Sequence, residues 1–205
     1  MINHQQTMTE FDKRRTKAQI HTVYVKDSDQ QYRTIAYQLP AFLESHKDIR
    51  LVVIDSISAV YRGGVSEQRS AKFEKMSEIC DIGTRLKQMA SKHSVAVVVV
   101  NQVSDVPDGP SKLVENWLDF ELISHVKRGT PSPLGIYIQS LTKRPVLGLS
   151  WSNSVTTRLR LARSPMTDGL ATRRAFFVEF SPFVPRMGCE FTICNSGIHS
   201  VEDEF

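Results

Sequence analysis

The side chain best placed to do chemistry is Asp55, which closes the run Leu51-Val52-Val53-Ile54. Four apolar residues, three of them branched at Cβ, suit a strand buried on both faces. In open α/β sheets ligands gather at the carboxyl ends of the strands, so Asp55 and the following Ser56 fall on a functional edge. A carboxylate there can hold a divalent cation that bridges nucleotide phosphates. The plainer alternative is that Asp55 simply begins a turn, which Asp does well. A second apolar run, Val95–Val100, predicts a central parallel strand and ends in Asn101-Gln102. Gln102 is either a group on the same edge or an ordinary amide satisfied at a strand end. The six histidines show no ligand spacing, and Cys80, Cys189 and Cys194 lack a CxxC pair, so no metal centre or disulfide framework is indicated. The cysteines read as packing residues.

The elements that must carry these groups follow from periodicity. Residues 1–19 are polar and hold Lys13-Arg14-Arg15, which reads as a solvated tail with a nuclear-localisation cluster as the alternative. His21–Val25 predicts a short strand. Ser28 or Asp29 is placed to cap the helix after it, and Tyr32, Ile35, Leu39 and Leu43 recur at helical spacing, with a kink expected at Pro40. Strand, helix and the Asp55 strand would make a βαβ unit. Gly63-Gly64 marks a loop at about residues 61–70, and Phe73, Met76, Ile79, Leu86 and Met89 predict a long core-packed helix from about Glu67 to Lys92. Residues 104–145, rich in Pro and Gly, read as a second long loop with a helix from Leu113 to Val126 inside it. Val146–Trp151, Thr156–Ala162, Arg174–Ser181 and Cys189–Cys194 predict short strands, the later ones antiparallel.

The chain has 205 residues, 40% of them apolar, enough for a sizeable core, and a formal charge of +4. No apolar run approaches the ~20 residues of a membrane span, and the polar start lacks a signal-peptide core, which predicts a cytosolic or nuclear protein. Basic residues concentrate late: eight lie between Lys143 and Arg186, against Asp168 and Glu179. An acidic partner and a merely solvated surface both account for that run.

In order, the Asp55 strand, Tyr61-Arg62, Asn101-Gln102, Val146-Leu147-Gly148-Leu149-Ser150-Trp151, Thr157-Arg158-Leu159, Phe180-Ser181-Pro182-Phe183-Val184-Pro185 and Gly197-Ile198 form a specific set. Over roughly residues 20–205 the set resembles the RecA-type eukaryotic recombinase family, and its last third is closest to the branch of X-ray repair cross-complementing paralogue three. The resemblance implies an α/β, RecA-like fold of the P-loop NTPase type, a mostly parallel sheet flanked by helices with antiparallel C-terminal strands. Asp55 then corresponds to the family's Walker B acid, orienting Mg²⁺ with Ser56 beside it, Gln102 to its γ-phosphate sensor and Pro182 to its nucleotide cap. Tyr61, Arg62 and Arg69 fall in or beside the first DNA-binding loop, and Lys127, Arg128, Lys143 and Arg144 in or beside the second.

One departure accompanies the match. The pattern GxxxxGK[ST] supplies backbone N–H groups and a Lys to nucleotide phosphates, and none of the ten glycines here is followed by Lys. The family's P-loop strand and helix, its catalytic carboxylate and its N-terminal helical domain would all precede His21, so the chain is expected to be the C-terminal part of a longer protein. ATP and Mg²⁺ are the implied cofactors, with binding weak or absent in this chain. The implied function is that of a nuclear, or also cytoplasmic, recombinase-paralogue subunit in homologous-recombination repair. Its implied partners are single-stranded or branched DNA and a second paralogue in a heterodimer. The alternatives are a non-enzymatic interaction module and an unrelated doubly wound domain using Asp55 as a base. Nothing like GxSxG or HExxH supports the last.

Overall fold

In the computed structural model, residues 20–61, 69–105, 117, 120–123, 133–168 and 171–200 are described. Asp27, not Ser28 or Asp29, caps the first helix, its carboxylate accepting the Gln30 N–H at 2.8 Å. Helix α1 (Ser28–Arg33) runs through a π turn (Thr34–Gln38) into α2 (Leu39–Ser45). Pro40 has no N–H to give, and the helix widens just before it, Leu39 donating instead to Thr34 five residues back. The expected kink is thus a π bulge. The predicted strand at His21–Val25 does not form: this segment has no ladder partner among the described residues, and Val23 and Tyr24 are mostly exposed.

Strand β1 (Leu51–Asp55) pairs in parallel with β2 (Ala96–Val100) through the long crossover helix α3 (Arg69–His93), within one residue or two of its expected span. Ile79, Ile82, Leu86 and Met89 recur on one side of α3 and bury there with Ile35, Leu43, Val95, Leu147 and Trp151. Phe73 and Met76, expected in the same stripe, are exposed. Gly83 is where α3 meets the 153–155 turn, since a Cβ there would lie 2.3 Å from the Ser154 Cβ.

Among the described residues β1 and β2 pair only with each other. Val52, Ile54, Val97 and Val99 face the core, whereas Leu51, Val53, Val98 and Val100 lie open on the other face. The expectations of a doubly buried β1 and a central β2 are therefore corrected: among the described residues helices cover one face alone.

The second layer is antiparallel but for one strand. Its order is β4 (Glu121–Ile123), β8 (Met187–Cys194), β7 (Ala171–Phe180), β6 (Arg158–Asp168), with β9 (Gly197–Ser200) added to β8 and β4 joining β8 in parallel. Glu121–Ile123, expected in a helix, is strand. Within Val146–Trp151, expected as strand, the chain instead begins the short helix α5 (Gly148–Ser152), with Gly148 at φ +60 where only Gly is unstrained. Within the expected long loop the chain forms β3 (Val103–Ser104), β4, a 3₁₀ turn (Pro133–Tyr137), α4 (Ile138–Leu141) and β5 (Arg144–Pro145). Trp117, Phe120, Tyr137, Leu141 and Phe177 make a second, aromatic core. Its polar anchor is Glu190, only 3% exposed, which accepts the Tyr137 O–H at 2.7 Å and the Arg173 guanidinium at 2.7 and 2.9 Å. Cys80 and Cys194 are exposed rather than packed.

The open face and free edge of β2 form an uninterrupted, charge-free surface of the kind that templates pairing with other chains. Purified alone, the chain is expected to self-associate, and Val98→Lys, on the open face, to raise the monomer fraction on size exclusion. A monodisperse wild-type monomer with strongly protected amides at residues 95–100 would contradict this.

Candidate functional site

The carboxyl ends of β1 and β2 meet as a small polar platform. Asp55 lies exposed in register with Val100, and the Asp55–Ser56 peptide is cis. Past it the chain turns inward, so that Ile57 and Ser58 are fully buried. The turn is stitched to the end of β2. Ile57 N–H donates to the Val100 carbonyl at 3.0 Å, and Gln102 N–H donates to Ser58 Oγ at 3.1 Å. From the other side Val146 N–H donates to the Gln102 carbonyl at 2.9 Å, and Gln31 Nε2 donates to the Ile57 carbonyl at 3.3 Å. Among the described residues two side-chain acceptors are buried without a hydrogen-bond partner, Asn101 Oδ1 and Gln102 Oε1. Buried acceptors of this kind are uncommon and mark a place where a donor or cation fits.

The chemistry of this platform is oxygen-rich. A carboxylate, a hydroxyl and amide oxygens suit a hard divalent cation that keeps much of its water shell. They do not suit a triphosphate by themselves, because the sequence has no GK dipeptide to supply the lysine and glycine-rich cradle. Tyr61 ends the 3₁₀ turn Ala59–Tyr61 beside the platform and donates its O–H to Glu78 at 2.7 Å. Burial first, then the Glu78 carboxylate, pushes the phenol above its ordinary range, so Tyr61 stays neutral and tethered to α3. Pro182 stands on a different sheet, exposed in the β7–β8 turn. Arg62, Lys127 and Arg128 lie outside the described residues, as does the side chain of Arg69, whose backbone opens α3.

Lys143 and Arg144 lie not in an open loop but at β5, which pairs Ser104 with Arg144. Lys143 is balanced at 3.2 Å by the exposed Asp105. Behind them a cleft of about 250 Å³ opens between β5, β6 and the β7–β8 turn. Composition gave no sign of it. The charge run flagged the late arginines, yet the alternation of β6 decides which of them turn inward: Arg160 and Ala162 are buried while Leu159 and Leu161 are exposed. Arg160 donates to the Lys143 carbonyl and to Glu179, both at 3.2 Å, and lies over the Trp117 ring. Arg158 shares Glu179 at 3.8 Å and donates to Ser152 Oγ at 2.8 Å. Burial lowers the Arg158 pKa against the attraction of Glu179.

The sequence model of the family described as Rad51 matches residues 6–118. "DNA repair protein rhp57" of Schizosaccharomyces pombe is 31% identical over 192 residues, covering 88% of this chain and 51% of that protein. "DNA repair protein XRCC3 homolog" of Arabidopsis thaliana is 30% identical over 172 residues, 75% of this chain and 52% of that protein. "DNA repair protein XRCC3" of Mus musculus is 28% identical over 196 residues, 93% and 50% respectively. The chain thus spans about half the length of these curated relatives.

The platform's stitching makes a stability prediction. Ser58→Ala removes the acceptor of the Gln102 N–H inside a site closed to water, which costs about 1–3 kcal/mol. Urea denaturation should show a lower midpoint with an unchanged slope. An unchanged midpoint would mean that water replaces the hydroxyl.

Proposed function

Because the chain belongs to the Rad51 family, with the RecA-like α/β order of that family, we propose that it acts in recombinational DNA repair as a paralogue subunit that binds single-stranded or branched DNA. The observation that supports this reading is the grouping of Lys143 and Arg144 with the inward arginines of β6, beside the end of β2. Cationic side chains so placed neutralise phosphates without reading bases. The relatives named as DNA repair proteins make a nuclear site the natural one, with the cytoplasm as a second, and no described helix is long and apolar enough to cross a membrane. Tyr61, Arg62, Arg69, Lys127 and Arg128 belong to the same reading as loop groups that approach the strand.

A second recombinase paralogue is the protein partner in this reading. One observation favours a further, non-enzymatic role as an interaction module: the apolar face of β1 and β2 is open. A subunit that lends surface to a partner needs such a face, and it also needs no turnover of its own.

ATP and Mg²⁺ enter this proposal as cofactors of the family. Asp55 and Ser56 are the groups that would hold the cation, with Gln102 facing the phosphates and Pro182 capping nucleotide from another subunit. When bound, the cation supplies charge neutralisation of the phosphates. Asp55 offers a ligand and Gln102 an amide, but neither replaces a phosphate cradle, and phosphoryl transfer rests almost wholly on positioning and charge. Titrating a labelled ATP analogue with Mg²⁺ should therefore show no saturable binding in the low micromolar range. Saturable binding there, abolished by Asp55→Ala, would overturn this.

For DNA, the double variant Lys143→Glu, Arg144→Glu should weaken single-strand binding across all sequences. Every phosphate that the variant no longer neutralises should flatten the slope of log affinity against log salt by about 0.7. Fluorescence anisotropy at several salt concentrations measures both quantities. Equal affinity of variant and wild type at low salt would remove β5 from the interface.

A further inference from the structure

The antiparallel sheet has two faces, and among the described residues only one of them is packed into a core. Ala162, Ala175 and Phe177 turn toward Trp117 and Tyr137. Their neighbours along the strands point the other way. On that outer face Leu159, Leu161, Ile193 and Ile198 are each more than half exposed, and Phe176 and Phe191 lie half-buried beside them, in neither core. The register lines these side chains up across strands, Leu161 beside Phe176 and Ile193 beside Ile198. Single exposed apolar residues are ordinary, but a contiguous group across four strands marks a contact surface.

A row of positive charge closes one end of this patch. Arg163 on β6 stands opposite Arg174 on β7, and Phe191 and Ser200 continue the row across β8 and β9. Like charges directly opposite across strands are destabilising, so the sheet itself gains nothing from this pair. Neither arginine has an ion-pair partner among the described residues, and Arg174 gives one of its five N–H groups to the Thr172 carbonyl at 2.9 Å. The described carboxylates of these strands, Glu179 and Glu190, both turn inward, to Arg160 and to Tyr137.

The open surface is a face and not an edge. At the outer edge of β6 the Ser140 hydroxyl bonds the N–H of Arg163 at 3.2 Å and its carbonyl at 3.1 Å, which obstructs strand addition there. The element that packs on an open sheet face is a helix. Leu159, Leu161 and Arg163 follow one another at two-residue steps of ~6.7 Å, so together they span ~13 Å, or about nine residues of helix. A helix laid along β6 therefore meets them in order with apolar side chains on two successive turns and carboxylates on the next. The chain's own flanks do not carry that pattern. Lys13-Arg14-Arg15 has the wrong sign, and Glu202-Asp203-Glu204 has the charge without the apolar repeat.

We propose that the outer face of β6, β7 and β8 docks an amphipathic helix of a partner protein, its apolar stripe on Leu159, Leu161 and Phe176 and its carboxylates on Arg163 and Arg174. The surface is separate from the open face of β1 and β2, and the proposal stands whether or not the chain binds DNA.

The chain's own thiols report the site, since Cys189 lies across from Phe176 in the apolar rows and Cys80 lies on α3. The probe is a peptide of about 18 residues, long enough to form helix, with leucines on two successive turns and glutamates on the third. Added to the full chain, it should slow maleimide labelling of Cys189, read by mass spectrometry, and leave Cys80 unchanged. Arg163→Glu with Arg174→Glu should lower its affinity about tenfold at low salt in fluorescence anisotropy, because two exposed attractions become repulsions. The same peptide with lysines for glutamates should bind wild type poorly and recover the loss on the double variant, which also shows that the variant is folded. If both peptides bind wild type alike, or the charge exchange recovers nothing, the arginines are not the anchor and the proposal fails. It fails equally if the peptide binds without shielding Cys189. If Cys189 is shielded in the chain alone and becomes reactive on dilution, a second copy covers the face. If it becomes reactive on deletion of residues 201–205, the acidic flank covers it, and either result overturns the proposal.

Discussion

Gln102 is held by its backbone from both sides: its N–H goes to Ser58 Oγ, behind β1, and its carbonyl accepts the N–H of Val146, beyond β5. Three chain segments distant in sequence are fixed to one peptide unit at the end of β2. The two-residue ladder of β3 and β5 extends the same seam, and α5 follows it directly to deliver Trp151 into the first core. The seam joins the parallel pair β1–β2 to the segment that leads into the antiparallel sheet. The positions of Asp55, Gln102 and the basic wall at β5 are all consequences of it.

Those groups divide into two chemistries. The platform at Asp55 is built from oxygens, two of them buried amide acceptors with nothing to accept from. The cleft at Arg160 is built from nitrogens, held by aromatic rings and a shared carboxylate. Acidic and basic sites placed either side of one seam are electrostatically complementary, so whatever neutralises one favours the other only weakly across solvent and strongly across protein.

Several features were legible in the sequence because they rest on short-range rules. The β-branched runs gave β1 and β2 to within a residue, and the 3.6-residue repeat gave α3. The alternation after Arg158 gave the antiparallel strands. What escaped rests on long-range packing. Glu121–Ile123 has helical neighbours in its pattern but becomes strand because β8 offers a free edge. Leu147 and Trp151 resemble strand residues by type, yet they are buried through α5 and its approach to α3 at Gly83. Asp55 could be placed on an edge from its position alone. The cleft could not, because Trp117, Arg160 and Arg186 come from three separate elements and no spacing joins them.

The composition of the first core bears on the order in which the chain can fold during synthesis. Ile35, Leu43, Ile57, Ile82 and Met89 leave the ribosome early, but the cluster they form also includes Leu147 and Trp151. Until α5 has been translated, that early segment has no lid on its core and presents a parallel strand pair whose other face is open as well. The strands from Arg158 onward have the opposite character, since β7, β8 and β9 each pair with the strand just before them. Local pairings of this kind form quickly, whereas parallel pairing across a crossover is slow. The nascent chain therefore passes through an interval in which the segment that holds Ile35 to Met89 waits on α5, and it is in that interval that a chaperone has most to bind.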